Sequence, residues 1–480
     1  MILSDEQEDA LNKFKRGENL FITGPGGTGK TFLIKELINH TTKNVQVCAL
    51  TGCAAILLQC NARTIHSWSG IKLANGEIED IVNSIANNKY QRKTWRSTHV
   101  LIIDEVSMMS KKIFDLLNMV AKTCRNNIKP FGNMQVVFLG DFYQLPPVNK
   151  TDDEDSNKFC FESDNWFDIF PKQNHILLTK IFRQDDIEYK NILMNIREGK
   201  FDEKTKEILE KRKIKFEKDD KEQDNIIKIF PLKIKVDTVN FKNFLKLEGE
   251  EYSSDILIKK DVIEMIDSGK PIPDKYIEAY KRASPKQVDF EINYIRGNSP
   301  SVNELKLKIG ARVMCIINLD MENEICNGSQ GIVEEIIKDS ENKMKLIIVK
   351  FDNGIRRDIS KHGWQSEVYP NIVMYQFPLI LAWAITIHKI QGATLDKAIM
   401  DIGDSIFEYG QTYVALSRIK KIEGLYLTAL NINKIKVNPK VFEFYKNIEK
   451  KETVLNIENY KYIEDNVKTE KNEDIKIVKL

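Results

Sequence analysis

No Cys-x-x-Cys pair occurs among the cysteines at 48, 53, 60, 124, 160, 315 and 326, so neither a zinc ribbon nor a cysteine-held iron–sulfur cluster is indicated. An odd number of scattered thiols fits a reducing compartment, where cysteine serves as a small apolar residue. No apolar run approaches the roughly 20 residues of a membrane span. Pattern is interpretable from Leu3 onward, which leaves no room for a targeting peptide. The expectation is a soluble intracellular protein, cytoplasmic or nuclear, without membrane contact. Excess charge is also missing: 72 Lys and Arg against 70 Asp and Glu leave +2 at pH 7. Bulk electrostatics therefore announces no polyanionic partner, and any basic groove must be local. There is no internal repeat and no separate nuclease motif.

What is present is enough apolar material, 42% of 480 residues, for several packed cores, with two to four domains expected from the length. The first third alternates apolar strands (Leu20–Thr23, Val45–Leu50, Val100–Ile103, Val136–Leu139) with helical spacing at Phe32–His40 and Ile113–Cys124. That alternation predicts a parallel α/β sheet whose strands are buried on both faces. From Asp185 to about Asp224 the pattern is helical and Lys-rich. A second α/β segment begins near Ile226, is interrupted, and resumes at Leu379. The interruption, near Tyr252–Tyr375, holds β-like runs at Ala311–Ile317, Gly331–Ile337 and Leu346–Phe351, punctuated by Asn327-Gly328 and Asp352-Asn353-Gly354. Such punctuation reads as turns, and the whole as a small β-barrel inserted into the second α/β domain. The last forty residues predict a charged helix and then a frayed tail.

Gly24-Pro-Gly-Gly-Thr-Gly29-Lys30-Thr31 follows a strand and precedes a helix, the context a P-loop requires. In such a loop the backbone of Gly24, Gly26, Gly27, Thr28 and Gly29 wraps phosphate closely. Lys30 reaches the β- and γ-phosphates, and the Thr31 hydroxyl holds Mg²⁺. Leu101-Ile-Ile-Asp104-Glu105 supplies the second half, with Asp104 supporting Mg²⁺ and Glu105 orienting and deprotonating water. Hydrolysis of ATP is the reading. Gln7, in Leu3-Ser-Asp-Glu-Gln7, fits two roles: an amide pairing with adenine N6 and N7, or a neighbour in a helix cap begun by Ser4.

Further motifs follow: Gly140-Asp141-Phe-Tyr-Gln144-Leu-Pro-Pro147, Phe182-Arg183-Gln184, Thr386-Ile-His388-Lys-Ile-Gln391-Gly392 and Tyr413-Val-Ala-Leu-Ser417-Arg418. In order and content the chain resembles superfamily 1 DNA helicases of the PIF type (petite integration frequency), related to RecD and Dda, from Leu3 to about Leu427. Asp115-Leu-Leu-Asn-Met-Val-Ala-Lys-Thr-Cys-Arg125 followed by Lys129-Pro-Phe-Gly132-Asn-Met-Gln resembles that family's signature segment. Asn133 stands there where a second Gly is usual. Phe230-Pro-Leu-Lys-Ile-Lys235 departs too, with lysines where the family has Thr or Asn.

The resemblance implies two RecA-like motor domains, residues 1–184 and 185–251 with 375–440, with ATP in the cleft between them. Gln144, Gln391 and Gly392 would join the nucleotide site, and Arg183 and Arg418 would converge on the γ-phosphate; structural salt bridges are the alternative for both arginines. A wedge at about 70–97 and an SH3-like barrel within 252–374 are implied as insertions, with 441–480 as helix and tail. Lys89, Arg92, Lys93, Trp95 and Arg96 give the wedge a composition suited to a nucleic-acid strand, with a solvated basic loop over the first domain as the alternative. Thr51, Thr64 and His66 in the first domain, and Thr386 and His388 in the second, would touch single-stranded phosphates without reading bases. Capping or core roles are the alternatives for these. Trp68 and Pro147 are further candidates for packing on bases. The expected partners are single-stranded and forked DNA, with a monomeric motor and a protein partner for the tail. A DNA-stimulated ATPase that clamps without unwinding is the competing class; an unrelated P-loop kinase would not need the second-domain motifs.

Overall fold

The computed structural model describes residues 3–448 apart from 59, 61, 72, 73, 75, 76, 148–152, 215–225, 267, 268, 321, 324, 326 and 367. The chain divides into a unit at Met1–Lys436 and a second at Val437–Leu480, where residues 439–448 are helical; the tail expected beyond lies outside the described residues.

The first sheet contains β1 (Leu20–Thr23), β2 (Val45–Ala49), β3 (Arg63–Thr64), β4 (Val100–Asp104), β5 (Gln135–Gly140) and β6 (His175–Leu177) in the order β3-β2-β4-β5-β1-β6. Every pairing is parallel. All residues of β1, β4 and β5 are buried, as unbroken apolar runs require when both faces are covered. The strand period of two sorts their side chains. Leu20, Ile22, Val137 and Leu139 pack with Leu33, Ile34 and Leu37 of α2 (Lys30–Asn39) and with Ala10, Leu11 and Phe14 of α1 (Asp5–Lys15). Phe21 and Phe138 meet aromatic rings instead, Phe21 lying 5.2 Å from both Phe142 and Trp166, and Phe138 4.9 Å from Phe170.

The signature segment folds as α3 (Lys111–Arg125) and the turn behind it, with Arg125 donating to the carbonyls of Gly132, Trp95 and Thr98 at 2.7–2.9 Å. Phe131, Gly132 and Asn133 have φ of 46°, 59° and 61°. Asparagine is among the non-glycine residues that best tolerate this left-handed region, which accounts for Asn133 at the variant position.

A second parallel sheet has the order β18-β7-β19-β20: β7 (Lys228–Phe230), β18 (Ala384–Thr386), β19 (Ala398–Ile402) and β20 (Leu425–Leu430). β7 and β18 are parallel neighbours, and the helix Lys233–Lys246 between them in sequence packs on both; the segment that follows this helix carries further strands of its own. It contains β8 (Tyr252–Asp255) paired with β10 (Glu304–Leu307), and β9 (Leu257–Lys259) with β15 (His362–Gln365) and β16 (Val373–Gln376). It also holds a five-stranded antiparallel sheet of β14 (Arg356–Ile359), β13 (Met344–Phe351), β12 (Gln330–Lys338), β11 (Arg312–Cys315) and β17 (Leu379–Leu381). Gly328 and Gly354, at φ +99° and +87°, provide the expected turns. The strand expected to resume the α/β segment at Leu379 forms, but as β17 it pairs with β11. Its apolar run suits either sheet, and only pairing assigns it; β18 is the strand that rejoins the parallel one.

Candidate active site

The P-loop joins β1 to α2, and it turns on glycine conformations: Gly27 and Gly29 have φ of +88° and +81°. Lys30 Nζ donates to the carbonyls of Gly24 and Pro25 at 2.6 and 2.9 Å. Burial pulls the Lys30 ammonium below its ordinary pKa, opposed by the carboxylates of Asp141, Glu105 and Asp104. Thr28 Oγ1 donates to Pro25 O at 2.9 Å, while Thr31 is exposed in the first turn of α2. For Gln7 both expected readings meet. Its amide completes a capping box with Ser4 and also donates to Thr28 O in the P-loop at 3.3 Å. Beside it lies the ring of Phe182, 44% exposed, 3.8 Å from a β-carbon placed on Gly29. An exposed ring against a buried amide is a place where a flat base can sit, and sequence reasoning had given Phe182 no role.

Asp104 closes β4, buried, with Oδ1 accepting the Glu105 N–H at 2.8 Å. Burial and then the Glu105 carboxylate raise the Asp104 pKa. Glu105 has φ 57°, ψ 38°, a strained position for a non-glycine residue of the sort found at functional sites. Its Oε2 accepts from Gln391 Nε2 of the second sheet's domain at 3.2 Å. Gln391 is followed by Gly392 at φ +85°, and Gln144 is buried nearby in sequence to Asp141. Asp141 is fully buried and paired bidentately with Arg197, Nη2–Oδ1 2.9 Å and Nε–Oδ2 3.1 Å, while the guanidinium covers the Tyr143 ring at 4.3 Å. Arg197 was missed because it stands in the stretch from Asp185 to about Asp224, read only as helical and Lys-rich. The signal was there in the apolar stripe Ile192, Leu193 and Ile196, buried beside it.

Arg183 and Arg418, expected on the γ-phosphate, both lie beside Gly26. A β-carbon on Gly26 would lie 3.6 Å from Arg183 Nη1, 3.6 Å from Arg418 Nη2 and 3.5 Å from Ser417 Oγ. Arg183 Nη1 donates to Ser417 O at 3.2 Å, and Arg418 Nη2 to Ser417 Oγ at 2.9 Å. Burial lowers both guanidinium pKa values, and for Arg183 the Arg418 charge adds to the effect. Two guanidinia and an ammonium around a glycine loop are a donor set for a polyphosphate. Among the described residues no cluster of three or more His, Cys, Asp or Glu could hold a metal. One carboxylate, one hydroxyl and substrate phosphates are nonetheless how Mg²⁺ is usually held, and Asp104 with Thr31 fits that set.

The residues expected along single-stranded nucleic acid are mostly helix caps here. Thr51 Oγ1 accepts from Ala54 N at 3.2 Å and Thr64 Oγ1 from Ser67 N at 3.3 Å; Thr386 Oγ1 accepts from Lys389 N at 3.4 Å. A hydroxyl that accepts in a cap keeps its own hydrogen for a phosphate, so the two roles are compatible. Thr64 Oγ1 also lies 2.7 Å from the Tyr294 hydroxyl on the helix Pro285–Asn298. His66 and His388 are both held towards the neutral imidazole by burial. His388 stacks at 6.1 Å on Phe407 at a groove of about 980 Å³ that Thr386 also lines. Pro147 is half-buried. Two aromatic expectations are corrected. Trp68 and Trp95 are 1% and 0% exposed and pack on each other at 4.5 Å, with Trp95 Nε1 donating to Ser69 O. Neither indole can reach a base, because the apolar area that suits stacking is already spent on the core. Lys89, Arg92, Lys93 and Arg96 do face solvent.

Residues 2–207 match the model of the PIF1-like helicase family, and residues 292–336 that of the 2B domain of DNA helicase Pif1. The ATP-dependent DNA helicase Pif1 of Bdellovibrio bacteriovorus is 34% identical over 451 residues, 93% of this chain and 92% of the relative. That of Xenopus laevis is 32% identical, and its match spans 93% of this chain but 65% of its own length. Among solved structures, Pif1 helicase from Candida albicans is 33% identical with a TM-score of 0.72, covering 93% of this chain and 100% of its own. Bacteroides Pif1 bound to ssDNA is 30% identical with a TM-score of 0.61, covering 94% and 98%.

Proposed function

The chain belongs to the PIF1-like helicase family, and on that premise we propose that it is an ATP-dependent DNA helicase moving 5′→3′ on single-stranded DNA. The observation that carries the reading is the convergence of Arg183 and Arg418, from separate parts of the sequence, on Gly26 of the P-loop. ATP binds in the cleft between RecA-like domains formed by residues 1–184 and by 185–251 with 375–440. Lys30 and the loop amides take the phosphates, Gln144, Gln391 and Gly392 line the cleft, and adenine lies between Gln7 and Phe182. Thr31 and Asp104 would hold Mg²⁺, which when bound would supply neutralising positive charge to the phosphates. Glu105 orients and deprotonates the attacking water, and the two arginines stabilise charge on the transferring phosphoryl.

Thr51, Thr64, His66, Thr386 and His388 grip phosphates of the tracked strand weakly enough to release at each step. Residues 70–97 act as the wedge, through their basic face rather than through Trp95, and the strands within 252–374 belong to an SH3-like accessory barrel. The motor works as a monomer where the DNA is kept, in cytoplasm or nucleus, and its C-terminal tail serves a protein partner. Among the described residues no helix is long and apolar enough to cross a membrane. A forked duplex with a 5′ tail tests the reading: ATP should drive strand separation, and Lys30→Ala should abolish it while melting like wild type. Equal or better unwinding from a 3′ tail refutes the polarity, and hydrolysis without any strand separation refutes the helicase in favour of a clamp.

A further inference from the structure

The helix Gln411–Leu416 brings into the phosphate loop a polar group that the roles above do not use. Tyr413 is 2% exposed, and its phenol oxygen accepts the Gly26 N–H at 2.8 Å. Gly26 is the same glycine on which Arg183, Arg418 and Ser417 converge, so the phenol, both guanidinia and the phosphate loop share one small volume. The helix is held firmly there. Gly410, its N-cap at φ +69°, presses on the carbonyl oxygens of Tyr143 and Gln144 with no room for a β-carbon. At the other end Tyr189 donates its hydroxyl to Leu416 O at 2.7 Å.

A phenol has one hydrogen to donate as well as lone pairs to accept with. The Gly26 N–H occupies a lone pair, while the phenolic hydrogen has no acceptor among the described residues. Burial, reinforced by the Asp141 carboxylate, pushes Tyr413 up to about 12, so the donor stays protonated at working pH. We propose that Tyr413 is a further catalytic residue of the nucleotide site, donating its hydroxyl hydrogen to a terminal-phosphate oxygen of ATP during phosphoryl transfer. A donor already fixed by the Gly26 amide costs no reorganisation when charge spreads over the phosphoryl oxygens. Because the donor rides on a second-domain helix, it reaches the phosphate only with the cleft closed. ATP is thereby distinguished from ADP by the chain segment that also delivers Arg418.

The inference rests on the ATP-hydrolysing reading, and its test separates the two. Tyr413→Phe keeps the ring and removes the hydroxyl. Melting temperature, affinity for ADP, affinity for ADP with aluminium fluoride (a mimic of the transferring phosphoryl) and DNA-stimulated turnover are measured on one preparation. Losing one such donor should lower turnover and aluminium-fluoride-dependent affinity by about 10²-fold, while ADP affinity and melting stay near wild type. Turnover and mimic affinity within about twofold of wild type, well inside the effect of a lost donor, overturn the proposal. An equal loss for ADP and for the mimic also overturns it, since the hydroxyl would then only shape the loop. Were the variant to melt early, the ratio of mimic to ADP affinity measured below its transition still decides. Absence of turnover in the wild type would instead defeat the helicase reading itself.

Discussion

Replacing Arg197 with methionine removes a guanidinium from one of the most deeply buried ion pairs in the molecule while nearly keeping its volume. Asp141 is 0% and Arg197 4% exposed, and the shortest N–O distance is 2.9 Å. At an effective dielectric of 20, that separation corresponds to an attraction of about 6 kcal/mol, most of which offsets the desolvation of both ions. What a single substitution exposes is the unmatched desolvation: Asp141 would stay buried without its fork, at a cost of about 3–5 kcal/mol. For a domain of 150–250 residues this corresponds to a fall of roughly 6–20 °C in melting temperature. The double variant Asp141→Asn with Arg197→Met leaves no buried charge at this pair and should be milder than Arg197→Met alone. Calorimetry or urea unfolding of wild type, both single variants and the double variant forms the cycle, and the coupling should exceed about 1 kcal/mol, as for residues sharing one network. Additive effects, or an Arg197→Met melting point within about 2 °C of wild type, equivalent to 1 kcal/mol or less, would refute the reasoning.

Glu105→Gln should bind ATP normally and hydrolyse it about 10²–10⁴-fold more slowly, since the amide cannot accept a proton; lost nucleotide binding would mean that Glu105 is structural. Arg183→Ala and Arg418→Ala should each retain ATP affinity within about tenfold and lose DNA-stimulated turnover by about 10³-fold or more, and near-normal turnover removes that arginine from the mechanism. Asn133→Ala should cost about 1–2 kcal/mol through its left-handed backbone, with Asn133→Gly close to neutral, as denaturant midpoints will report.

How much of this was legible beforehand follows from the range of the forces involved. The P-loop, the strands flanking it and the turns at Gly328 and Gly354 rest on short-range requirements: an apolar run buried on both faces, or a φ that glycine alone adopts freely. Those are written in consecutive residues, so strand positions were read to within about one residue at β1, β2, β4 and β5, better than boundaries usually allow. The wider motif set also implied that Arg183 and Arg418 would converge on the γ-phosphate, and the structure places both beside Gly26 of the P-loop. What the residue types left open was settled by partners distant in the chain. Trp68 and Trp95 have the composition of a base-stacking surface, and only their mutual packing makes them core. The run at Leu379 suits either sheet until β11 claims it. Arg197 reads as one more basic residue in a Lys-rich stretch until Asp141, 56 positions earlier, is laid against it, and Tyr413 gains a hydrogen-bond partner 387 positions away. Local sequence by itself determined the backbone, because backbone preference is local; the tertiary structure decided which polar and aromatic side chains face the cleft, because burial belongs to whatever the fold brings alongside.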